Sequence, residues 1–127
     1  MSMRQFLGAK LHRGTVTECN LHYEGSCGLG EDLLKASGIL PLEKVSVLNI
    51  ATGGRLETYV IRSDKKGEIS LNGAAARHAN VGDHVIIISY VVLATDEIAS
   101  HTARIVMLGD GNRIVSQHTA GPLGKTG

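Results

Sequence analysis

The stretch HYEGSCGLG, His22 to Gly30, sets a Gly–Ser bond between a polar strand-like segment and an acidic helix-like one. Two chemistries are open to that bond. As a turn, Gly25 supplies unusual dihedrals and Ser26 bonds locally, which is the ordinary reading of an isolated Gly–Ser pair. As a reacting group, the Ser26 hydroxyl attacks the Gly25 carbonyl carbon and turns the amide into an ester by an N→O acyl shift. Glycine on the acyl side removes a Cβ that would obstruct the attack, and it tolerates a strained backbone. Elimination from the ester would leave dehydroalanine at position 26. Its hydrolysis would leave a pyruvoyl group heading a new chain, and that ketone is a built-in electrophile. Spacing alone does not choose between the two.

Other residues could serve a substrate. Arg55, after the turn ATGG, carries a planar fork suited to a carboxylate, and Lys10, in AKLHR, a point charge. For a lone Arg or Lys a surface salt bridge is the more usual role. Tyr59 is either a packed strand aromatic or a proton donor, and Asn72–Gly73 reads first as a turn. Thr58 and Tyr59 are neighbours on one strand, so a regular strand cannot send both side chains into one pocket. Either the strand is irregular there or Thr58 contributes through its backbone.

Several motifs point elsewhere and fail. GLGEDL begins like a dinucleotide loop but lacks the third Gly and a βαβ unit. Histidines 12, 22, 78, 84, 101 and 118 form no i,i+4 helical pair and no Cys pairing, so structural or surface roles are favoured over metal ligation. Cys27 could be a nucleophile with His12 or His22 as base, but a small buried Cys is the simpler reading.

These residues need a scaffold. KLHRGTVTECNLHY alternates and reads as one or two strands; GEDLLKASG reads as a short helix opening on Glu31 and Asp32 and ending at Gly38. VSVLNI, ATGGR and LETYVIR read as strand, hairpin turn and returning strand. ISLN is a short strand running into a helical turn, GAAARHAN. A strand from His84 to Leu93 follows, and RIVML-GDGN-RIV is the last hairpin. The polar, Gly-rich tail, 119–127, is expected to fray. Short strands joined by turns imply a mainly β domain, a barrel. No repeat or linker divides residues 1–127, so one domain is expected.

Charge and composition bound the partners. Thirteen Lys+Arg against twelve Asp+Glu leave a formal charge of +1, with no concentrated basic surface for nucleic acid. Two cysteines are too few for a secreted disulfide framework, and the N-terminus has no apolar run of signal-peptide length. The longest apolar run, VIIISYVVLA, is too short to span a bilayer as a helix. A cytoplasmic setting without membrane or nucleic acid is expected.

AKLHRGTVTECNLHYEGSC resembles the start of the bacterial aspartate 1-decarboxylases, pyruvoyl enzymes of pantothenate biosynthesis. The likeness continues through SVLNIATGGRLETYVI, ISLNGAAARHANVGDHVIIISY and TDEIASHTARIVMLGDGN. The elements HYEGSC, TGGR…TY and NGAAA…VGD, in that order and at family spacing, carry it together. The resemblance implies a double-psi β-barrel, cut by its own chemistry into 1–25 and 26–127, with Ser26 becoming the pyruvoyl cofactor; no metal or pyridoxal phosphate is implied. A Schiff base would form with the substrate amine. It also implies Lys10 and Arg55 as carboxylate binders, His12 and Tyr23 as active-site neighbours, Thr58 in processing and Tyr59 as proton donor. Asn72, Gly73, Ala74 and Ala75 would wall the pyruvoyl site. Family members are homotetramers with sites between subunits, and some use an acetyltransferase-like maturation protein.

Two departures stand out. Leu48 occupies the place where the family often has Trp, and Gly28-Leu29-Gly30 replaces a small residue followed by Ile-Asp. The activity that the resemblance implies is decarboxylation of L-aspartate to β-alanine and CO2. The alternatives are a pyruvoyl decarboxylase of another small acidic amino acid, or an unprocessed barrel serving as a binding or assembly module.

Overall fold

Alternation does most of the folding. Val45 and Val47, Val85 and Ile87, and Ala9 and Leu11 are all buried, while the residues between them are not. A strand that shows one face to a core and one outward has this period. The computed structural model describes residues 2–123. Its strands are β1 (Met3–Thr15), β2 (Glu18–Asn20), β3 (Ser26–Gly30), β4 (Lys44–Asn49), β5 (Arg55–Ser63), β6 (Ile69–Asn72), β7 (His84–Ala94), β8 (Ala103–Leu108) and β9 (Ile114–Ala120). One α-helix, α1 (Glu31–Ser37), follows β3, and a 3₁₀ segment, Gly73–His78, follows β6. The chain is mainly β, as the pattern of short strands and turns implied.

The strands join in the order β2-β6-β3-β5-β4-β7-β1-β8-β9. β1 pairs with β8, β2 with β6 and β3 with β5 in parallel. The other ladders are antiparallel. Leu11, Cys27, Leu29, Val45, Val60, Leu71, Ile87 and Val106, from seven different strands, bury themselves in one cluster with Leu33 of α1. A flat sheet cannot bring seven strands to one core, so this sheet curls around it. The double-psi β-barrel implied by the family likeness is consistent with this arrangement. Asn112 helps hold the curl: fully buried, it accepts from Thr15 N and donates to Thr15 O and Gly67 O. It thereby ties the β8–β9 turn to the end of β1 and to the β5–β6 turn.

Several boundaries match the sequence pattern. Gly38 ends α1 in the left-handed conformation at φ 78°, where glycine avoids a Cβ clash. Two features differ. Strand β1 begins at Met3, earlier than the alternating stretch suggested. Ser26–Gly30 is a strand, wedged between β5 and β6 with all five residues buried. Burial on both faces leaves no alternation to read, and its glycines argue against a strand. At the other end, Thr119 and Ala120 pair with Arg104 and Ala103 in the β8–β9 ladder. The rest of the 119–127 tail beyond Leu123 lies outside the described residues.

Candidate active site

Ser26 is the first residue of β3 and only 1% exposed, while Gly25 just before it is exposed. The bond between them lies at the point where the chain enters the sheet. On the β6 side Ser26 stands opposite Asn72. The Asn72 side-chain amide donates to Ser26 Oγ at 3.0 Å, and that hydroxyl donates to the Glu24 carbonyl at 3.4 Å. The hydroxyl thus accepts one hydrogen bond and donates one, its proton directed at the carbonyl of the Glu24–Gly25 peptide.

Gly73 closes the other side. Its φ of +63° favours glycine, and a Cβ there would lie 2.7 Å from Gly25 N, 2.8 Å from Gly25 Cα and 2.9 Å from the Tyr23 carbonyl oxygen. Only a residue without a side chain lets the 3₁₀ segment press on the 23–25 backbone. Ala75 behind it is buried and Ala74 is exposed. Tyr23 and Asn72 also line a polar cleft of about 360 Å³, with Glu18, Asn20, Glu68 and Ser70.

On its other edge β3 runs parallel to β5, with Cys27 against Val60. Carrying that register back sets Tyr59 abreast of Ser26 and Thr58 abreast of Gly25. Along β5, Arg55, Glu57 and Tyr59 are exposed, Leu56 and Thr58 half-buried and Val60 buried. The β4–β5 ladder is unbroken from Lys44 opposite Tyr59 to Leu48 opposite Arg55. No irregularity brings Thr58 and Tyr59 to one face: Thr58 turns toward the core and Tyr59 away from it, as a regular strand requires.

Lys10 and His12 alternate with buried Ala9 and Leu11 on β1 and so face away from the core. Lys10 stands opposite Ile88, Ile88 opposite Ser46, and Ser46 opposite Glu57. Lys10 is therefore three strands from β5, roughly 14 Å along the sheet. Within one chain, Gly25, Ser26, Asn72, Gly73 and Tyr23 come together with the Tyr59 end of β5 alongside; Lys10 and His12 do not join them, and Arg55 lies four residues along β5 from Tyr59, roughly 13 Å away. Burial first, then the charges of Lys10 and Arg13, hold His12 below the ordinary imidazole range. Its Nδ1 is buried with no hydrogen-bond partner among the described residues. The ring is thus a neutral neighbour of Lys10 rather than a second cation.

Cys27, next to Ser26, is fully buried, and burial pushes its thiol up to about 12. A thiol of that kind is a core group, not a nucleophile. Among the described residues no group of three His, Cys, Asp or Glu converges to hold a metal ion. Among the described residues no helix is long and apolar enough to cross a membrane.

One pair escaped the sequence reading. Lys44 Nζ lies 3.3 Å from Glu57 Oε2, on the face that carries Arg55 and Tyr59. The signal was present in RLETY, where period-two spacing sets Arg55, Glu57 and Tyr59 on one side.

Comparisons with known proteins cover most of the chain. The family model described as aspartate decarboxylase matches residues 2–115, a span that includes every site residue above. An aspartate 1-decarboxylase of Ralstonia nicotianae is 53% identical over 112 residues, 87% of this chain and 93% of the relative. That of Polynucleobacter asymbioticus is 52% identical over 112 residues, again 87% and 93%. A third, from Exiguobacterium sibiricum, is 51% identical over 113 residues, 88% of this chain and 89% of the relative. A match of this depth, spanning the Gly–Ser bond and the strands that hold it, means that the chain belongs to the aspartate decarboxylase family.

Proposed function

We propose that this chain is a cytoplasmic, pyruvoyl-dependent decarboxylase that converts L-aspartate to β-alanine and CO2 for pantothenate biosynthesis. The observation that carries the proposal is the hold on Ser26: a nearly buried hydroxyl, fixed by Asn72, on a Gly–Ser bond pressed by Gly73. The intact bond is the precursor. Ser26 Oγ adds to the Gly25 carbonyl carbon, the C–N bond breaks, and an ester with a free amine at residue 26 results. Loss of the Ser26 α-proton and departure of the Gly25 carboxylate from Cβ leave dehydroalanine. Water then replaces the nitrogen, which leaves as ammonia.

The residues present fit a pyruvoyl group at position 26. It is built from Ser26's own atoms, Asn72 offers an amide donor there, and Gly73 and Ala75 keep the wall small. Such a ketone supplies the electron sink for loss of a carboxylate. The chain's other groups do the rest. Arg55 grips one carboxylate of the dianion with its fork. Tyr59, 37% exposed and abreast of Ser26, holds a proton for the product carbon. Lys10, three strands from β5, and Arg55, four residues along β5 from Tyr59, both lie too far from Ser26 to do this work within one chain. A homotetramer with sites between subunits, as the family likeness implies, would let one copy supply these groups to the Ser26 of another.

A denaturing mass spectrum and a product assay test the proposal together. Mature protein should give fragments 1–25 and 26–127 and release β-alanine from aspartate. An uncut chain without decarboxylase activity would point to a binding or assembly module. Leu48, which stands directly opposite Arg55, favours one second reading, that of another small acidic amino acid as substrate. Competition between aspartate and glutamate separates the two.

Two variants probe the parts. Gly73→Ala adds a Cβ against the 23–25 backbone at a left-handed φ, a strain of about 1–3 kcal/mol. Self-cleavage should slow by roughly tenfold or more, read as the fraction of full-length chain over time. Cleavage at the normal rate would separate Gly73 from processing. Arg55→Ala loses a charge-assisted contact of about 1.5–3 kcal/mol, so kcat/KM for aspartate should fall roughly ten- to a hundredfold while cleavage proceeds. Unchanged kinetics would remove Arg55 from the clamp.

A further inference from the structure

Arg55 has a competitor for its fork built into its own strand. Arg55 and Glu57 are two residues apart on one exposed face of β5, about 6.5–7 Å along the backbone. A glutamate carboxylate and an arginine guanidinium at that spacing can reach each other. An Arg55 paired with Glu57 would have less to offer a substrate carboxylate.

The competition is resolved in one direction. Glu57 Oε2 lies 3.3 Å from Lys44 Nζ, and no ion pair among the described residues involves Arg55. Lys44 stands opposite Tyr59 and Glu57 opposite Ser46, so the pair runs diagonally toward the Tyr59 end of the strand and away from Arg55. Opposite Arg55 itself is Leu48, which carries no charge. Lys44 and Glu57 are 72% and 64% exposed, so the pair contributes little to stability. Its consequence lies in where it sends the carboxylate.

We propose that Lys44 is a positioning residue for substrate binding: it draws Glu57 off Arg55 and leaves the guanidinium free for the substrate carboxylate. The inference rests on Arg55 as the carboxylate binder, and the experiment separates the two. Succinate, a dicarboxylate without the reacting amine, is titrated calorimetrically into the processed, assembled protein. Lys44→Ala should weaken succinate about two- to fivefold and raise KM for aspartate in step, with kcat unchanged. Lys44→Arg should bind like the parent, because it keeps the pair. Adding Glu57→Gln to Lys44→Ala should restore affinity, because the competing charge is gone. A loss that persists in this double variant would mean that Lys44 attracts the ligand itself, which overturns the proposal. So would normal succinate binding by Lys44→Ala alongside weakened binding by Arg55→Ala. Normal binding by Arg55→Ala would instead overturn the clamp, and the proposal with it.

Discussion

Ser26→Ala should remain a single 127-residue chain and release no CO2 from aspartate. The reaction at this bond needs an oxygen on Cβ of residue 26, first to attack the Gly25 carbonyl and then to leave as part of the Gly25 carboxylate. Alanine keeps the Cβ and removes that oxygen. The neighbouring thiol does not replace it: Cys27 is buried in the core with its thiol pushed up to about 12. The variant should still fold, because Ser26 contributes one hydroxyl and not apolar packing. The cost falls on Asn72, whose amide loses its buried acceptor; such a loss is about 1–3 kcal/mol, within what a small domain tolerates. Circular dichroism should therefore match the precursor, and a denaturing mass spectrum should show one species. A cut between residues 25 and 26 in this variant would sink the acyl-shift chemistry. It would also leave Asn72 and Gly73 without the role that their contacts with Ser26 and Gly25 suggest.

How much of this was legible beforehand depended on range. Local signals held well. ISLN coincides with β6, Gly38 is the left-handed cap of α1, and GDGN turns the last hairpin. The opposite facing of Thr58 and Tyr59 follows from strand period alone, and the unbroken β4–β5 register bears it out. Strand β3 was hidden for a physical reason: wedged inside the sheet, it buries both faces and has no alternation to betray it. Asn112 was equally silent, because its three hydrogen bonds reach residues 45 and 97 positions away. The 14 Å or so between Lys10 and β5 likewise depends on the order in which distant strands pair. That a Gly–Ser bond in HYEGSC differs from an ordinary turn came from resemblance; its contact with Asn72 and Gly73 came from the fold.

Tyr59→Phe should process normally yet turn over aspartate about 10²–10⁴ times more slowly, the usual worth of a positioned proton transfer. The substitution keeps the ring and removes one hydroxyl. Tyr59 is 37% exposed on the outward face of β5, so its phenol packs no core and the fold should be indifferent to the change. Processing should be indifferent too, because the hydroxyl that attacks Gly25 belongs to Ser26, and Thr58, not Tyr59, turns toward the core beside that bond. Capture of the substrate amine precedes the proton's arrival at carbon. Borohydride added with aspartate should therefore still attach substrate mass to the 26–127 fragment of the variant. Fast capture with slow release of β-alanine is a combination that a misfolded or uncut protein cannot give. Arg55→Ala would differ from both, since it weakens capture itself. Near-normal β-alanine production by Tyr59→Phe would remove Tyr59 from the donor role. That would leave water or another group to be found, because the polar residues that share Tyr59's face of β5 are Arg55, assigned to the substrate carboxylate, Glu57, held by Lys44, and Ser63, four residues further on.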